Sequence, residues 1–104
     1  MRELQNEDMY MLSEIADKIE FTLPKYPNVK GKSEDDIQAI QKDYGIQIIT
    51  LLIRKIYKAK PEINKLLANV NEKSIEEISK MSIKETINML KTLIKQDGVL
   101  DFFK

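Results

Sequence analysis

The chain has 104 residues with neither cysteine nor histidine, and its 17 basic and 17 acidic side chains cancel to a formal net charge of zero. Without thiol or imidazole there is no disulfide, thiolate nucleophile or imidazole base, and the commonest metal ligands are missing. Balanced charge gives no general affinity for nucleic acid or an anionic membrane, and it does not oppose association of like copies. The length predicts one domain, residues 1–104. No apolar run approaches the ~18 residues of a membrane span, and the acidic opening Met1-Arg2-Glu3-Leu4-Gln5-Asn6-Glu7-Asp8 does not read as a signal peptide.

A first helix is expected over about residues 6–20. Asn6 would cap it, Glu7 and Asp8 suit its first turn, and Leu4, Met11, Leu12, Ile15 and Ile19 form a narrow apolar stripe. Residues 21–32 hold two of the three prolines and one of the three glycines, so this is the longest irregular segment. The residues before Pro24 should be extended. Phe21, Leu23 and Tyr26 leave two readings open: they pin the segment to the core, or it is a mobile arm.

Ser33, followed three residues later by Asp36, resembles a capping box and opens a long second helix, about 34–59, that stops before Pro61. On a helical wheel its apolar residues sweep roughly 240°, so it is expected to be buried from several sides or shared with a partner. At 1.5 Å per residue it would span about 39 Å and form the central axis, with Gly45 as the point of any bend. Pro61 suits the first turn of a third helix, about 61–70, carrying Ile63, Leu66, Leu67 and Val70 inward and ending at a left-handed Asn71. Ser74 with Glu77 and Ser82 with Glu85 are capping boxes for a short fourth helix and a fifth one ending near Asp97-Gly98. The fold class predicted is all-α: a compact five-helix bundle around a long central helix at about 34–59.

Charge is uneven. Residues 1–20 carry two positive and six negative side chains, whereas residues 45–70 carry five positive and one negative. Cations at the end of the long helix complement its dipole; alternatively, the acidic first helix meets a basic surface in the same chain or a neighbouring copy. The pairs Asp35-Asp36 and Glu76-Glu77 lie in first helical turns, where acids belong without any catalytic role. The single basic turn Arg54-Lys55-Ile56-Tyr57-Lys58-Ala59-Lys60 is too little for a nucleic-acid footprint. No catalytic, cofactor-binding or metal-binding residues are expected, and no small-molecule substrate.

Four stretches, Lys32-Ser33-Glu34-Asp35, Tyr57-Lys58-Ala59-Lys60-Pro61-Glu62, Asn71-Glu72-Lys73-Ser74-Ile75-Glu76-Glu77-Ile78 and Met81-Ser82-Ile83-Lys84-Glu85, together with the ending Asp101-Phe102-Phe103-Lys104, resemble a group of small phage proteins. These are the tail assembly chaperones of long-tailed, non-contractile phages of Gram-positive hosts. The resemblance covers about residues 17–104. It implies a helical homo-oligomer that coats the tape measure protein and keeps it soluble until the tail tube assembles. It would act in the cytoplasm of the infected bacterium and be at most transient in the virion. A small helical structural or adaptor subunit of a phage or host assembly is the alternative. The expected partner-binding residues are Ile46, Ile53 and Tyr57, on the side of the long helix opposite Tyr44, and then Met89, Leu93 and Phe103.

Overall fold

A computed structural model describes residues 1–103; Lys104, the last residue of the terminal motif quoted above, lies outside them. Five α-helices follow in order: α1 Asn6–Ile19, α2 Glu34–Lys55, α3 Lys60–Val70, α4 Ile75–Ser79 and α5 Ile83–Ile94. No strand occurs among the described residues. Helical turns follow one another without a loop through 37 residues from Glu34 to Val70, so the predicted second and third helices are two limbs of one rod interrupted at Ile56–Ala59. The described residues therefore form four helical rods rather than five.

The interruption lies at a 3-10 turn, Ile56–Ala59, and not at Gly45. Pro61 is the cause. It has no N–H to donate to the carbonyl of Tyr57, and its ring crowds that carbonyl, so the turn before it tightens and the axis swings. Ala59 carries the distortion at φ −131° and ψ 34°. Gly45 instead sits inside an uninterrupted α-helix.

The start of α1 differs from the expectation as well. Gln5, not Asn6, is the capping residue. Its N–H donates to Asp8 Oδ2 at 2.8 Å, and Asp8 N–H donates back to the Gln5 carbonyl at 2.9 Å. Residues before the helix form a strap across two other elements. Arg2 N–H donates to the Val70 carbonyl at 2.8 Å, Leu4 N–H to Gln96 Oε1 at 3.0 Å, and Gln96 Nε2 to the Arg2 carbonyl at 3.3 Å. The strap thus joins the start of α1, the end of α3 and the turn after α5. Glu20, at φ 54°, ends α1, and Glu72, also at φ 54°, takes the left-handed position after α3 that Asn71 was expected to hold. Asn71 caps through its side chain instead, Nδ2 donating to the Leu67 carbonyl at 2.9 Å.

The core gathers on α3 rather than on α2. Of the largest side chains that are fully enclosed, Leu66, Leu67 and Val70 belong to α3, Ile19 to α1 and Val99 to the turn after α5. From α2 only Ile48, Ile49 and Leu52 are buried, and nothing before Ile48 is. The long helix is therefore not the central axis. It packs by its C-terminal half, and its N-terminal half draws the molecule out to 48 × 25 × 25 Å. Geometry explains this: a straight rod longer than the body it joins can be covered along only part of its length.

The irregular segment is tied down at its start. Phe21 is buried edge-on against Phe103, with ring centroids 5.7 Å apart, and Leu23 N–H donates to the Phe103 carbonyl at 3.1 Å. Tyr26 does not reach the core; it meets Tyr44 of α2 edge-on at 5.0 Å, while Tyr44 Oη donates to the Pro24 carbonyl at 2.7 Å. Among the serine caps, Ser74 makes the full reciprocal box, accepting from Glu77 N–H and donating its own N–H to Glu77 Oε1, both at 3.1 Å. Ser33 and Ser82 make the forward bond, to Asp36 and Glu85.

Candidate functional site

Ile46, Thr50, Ile53 and Tyr57 fall at i, i+4, i+7 and i+11, so they line one edge of α2 and the turn after it. Ile46 is 55% exposed and Tyr57 72%; Ile53 between them is half-buried. Thr50 is exposed, its hydroxyl donating to the Ile46 carbonyl at 2.8 Å. Arg54 and Lys58, both exposed, flank this edge with positive charge. The first set of expected partner-binding residues thus shares one edge, open at both ends.

The second set does not form a surface. Leu93 and Phe103 are each only 5% exposed and belong to the core, and half-buried Met89 packs against it. Phe103 is drawn in by Phe21, a partner distant in sequence, and Leu93 lies on the inward side of α5 beside Leu90 and Val99. Leu93 and Phe103 are therefore removed from the candidate partner-binding residues, while Met89, half-buried like Ile53, stands apart from the α2 edge.

A feature absent from the sequence reading lies next to Ile46. A cleft of about 750 Å³ opens between the middle of α2 and the end of α5. Its walls are Tyr44, Gly45, Ile46 and Ile49 on one side and Ile94 and Leu100 on the other. Its lining also carries Lys42, Lys91 and Lys95 together with Asp97 and Asp101. Ile46 also borders a smaller hollow of about 350 Å³ with Pro27 and Ile40, so it stands as a ridge between two concavities. The available signal was Gly45, a helix-breaking residue in mid-helix. It marks a place where the wall is kept low: a Cβ placed there meets nothing within 4 Å.

The shifted ionisable groups lie away from the cleft and hold structure. Two-pronged pairing with Arg2 (Nη1 to Oδ2 2.7 Å, Nη2 to Oδ1 3.1 Å) holds the Asp8 carboxyl below its usual range against the opposing effect of burial. Pairing with Lys18 lowers Glu62, and the Ser74 backbone N–H lowers Glu77. A carboxylate lowered in the folded state stabilises it above the unfolded value, about 4, and that contribution is lost as pH falls through the folded value. With no histidine, no side chain of ordinary pKa titrates between about pH 5 and 8. Unfolding midpoints should therefore be nearly level from about pH 5 to 8 and fall steeply below about pH 4; Asp8→Asn should flatten part of that fall. Thermal melts across this range check both.

No helix among the described residues is long and apolar enough to cross a membrane. Among the described residues no cluster of three or more acidic side chains is arranged to hold a metal ion. What the surface offers is shape and apolar area: an exposed helix edge beside a lysine-bearing, largely apolar cleft. Comparison with protein-family models, with curated proteins and with solved structures finds no match to this chain.

Proposed function

We propose that this chain is a tail assembly chaperone of a long-tailed phage, which associates with itself and coats the tape measure protein until the tail tube replaces it. The single observation that carries the reading is the exposed apolar edge of α2, Ile46 and Tyr57, running beside an open apolar cleft. Apolar area held open on a folded body is what a protein-binding surface requires. The sequence resemblance supplies the partner. A coat that must later be stripped favours many moderate contacts over one tight interface, and area alone does not set its affinity.

The test is co-expression with a helical segment of a phage tape measure protein, the partner that this reading assigns. The segment should remain soluble with the chaperone and precipitate without it. Light scattering coupled to size exclusion should show the chaperone itself growing in mass with concentration. Ile53→Asp should weaken retention of the segment while the far-UV helical signal is retained, because Ile53 is only half-buried on the exposed edge. A tape measure segment equally insoluble with and without the chaperone would overturn the reading. Fixed stoichiometry at every concentration would favour a structural subunit instead.

A further inference from the structure

The glycine in the cleft is unexplained by the fold. Gly45 lies in the interior of α2, where it costs a helix about 0.5–1 kcal/mol relative to alanine. Its φ is ordinary for a helix, and open space surrounds the position where a Cβ would stand. Neither backbone strain nor internal packing demands it. A local rule broken without an internal reason marks a place shaped for something outside the fold.

The lining says what that is. Lys42, Lys91 and Lys95 are exposed, and none of them forms a salt bridge among the described residues. Against these three lysines stand Asp97 and Asp101, so the lining is net positive, and it suits an occupant with an apolar anchor framed by more acid than base. The outer face of α1 has both. Tyr10 is 60% exposed and Met9 41%, and Glu7, Glu14 and Asp17 stand around Tyr10 at helical spacing. Tyr57 is more exposed, but Arg54 and Lys58 surround it and would face the cleft's lysines with like charge. In addition, α1 cannot turn this face onto its own cleft, because Leu12, Ile15 and Ile19 on its opposite side are buried in the core. The occupant must come from another molecule.

We infer that the cleft between α2 and the end of α5 receives the outer face of α1 from a second copy of this chain, with Tyr10 as the inserted anchor and Gly45 as the lowered wall that admits it. The contact joins two different surfaces, so copies linked head to tail through it build a row or a ring. It rests on the self-association proposed above and specifies its geometry.

Two variants test it at positions that do not support the fold: Gly45→Leu fills the cleft, and Tyr10→Lys removes the anchor and repels the cleft's lysines. Sedimentation velocity at low salt should show each weakening self-association by about tenfold or more, with melting midpoints not lowered. The deciding arm mixes the two. Gly45→Leu retains the α1 face and Tyr10→Lys retains the cleft, so an equimolar mixture should form a one-to-one dimer that cannot grow. Variants that associate like the parent, or weakened variants that stay apart when mixed, would overturn this geometry while leaving the proposed self-association intact. A parent chain that stays monomeric at every concentration would overturn both.

Discussion

Replacing Leu66 by alanine is expected to lower the unfolding free energy by about 2–5 kcal/mol. Leu66 is 1% exposed on α3, and its neighbour Leu67 is fully enclosed. A cavity of about 20 Å³ already lies against it, bounded also by Leu12, Leu52, Leu90 and Phe103. Those neighbours leave that gap unfilled, so they have little freedom to collapse into a larger one, and the cost should fall in the upper part of the range. Against a total stability on the order of 5–15 kcal/mol the loss is large. Leu52→Ala, at 5% exposure on the packed half of α2, belongs to the same class. Thr50→Ala, exposed two positions earlier, should stay within roughly ±0.5 kcal/mol. Denaturant melts with an unchanged slope and a shifted midpoint check the series. Equal losses at Leu66 and Thr50 would contradict the placement of the core on α3.

Asp8→Ala should cost about 2–4 kcal/mol, far more than any other acidic residue of α1. The Asp8 carboxylate is 4% exposed, receives both guanidinium nitrogens of Arg2 and accepts the Gln5 N–H. Alanine leaves the Gln5 N–H without its acceptor and releases Arg2, whose backbone ties the strap to Val70. Arg2→Ala should also be costly, because it leaves the Asp8 carboxylate, 4% exposed, without its cation. The double variant should cost less than the two singles added together, since the second change removes a partner already lost. Additive losses in a melt-based double-mutant cycle would show that the pair does not act as a unit.

Where the controlling interactions lie within a few residues of one another, the sequence was legible. Ser33, Ser74 and Ser82 open helices because their hydroxyls accept from N–H groups three residues on. Pro61 fixes a break because its ring acts on the turn just before it. The inward stripe of α3, from Ile63 to Val70, followed from periodicity alone. That Ile46, Ile53 and Tyr57 share an edge was legible for the same reason, helical spacing, and Ile46 and Tyr57 are exposed.

Interactions between residues far apart in the chain overturned the rest. The cap of α1 moved from Asn6 to Gln5 because Asp8 is held by Arg2, which is itself anchored to Val70. Phe103 left the candidate surface because Phe21, far away in the sequence, offers it an edge-on ring. The cleft beside Gly45 was invisible for the same reason, since one wall comes from α2 and the other from the end of α5. By itself the sequence determined the all-helical class, the serine-capped helix starts and the break before Pro61, each set by forces reaching one helical turn. Which apolar residues are covered and which stay open was decided only by tertiary packing. A wheel counts apolar circumference, but the elements that happen to lie alongside determine how much of it water still reaches.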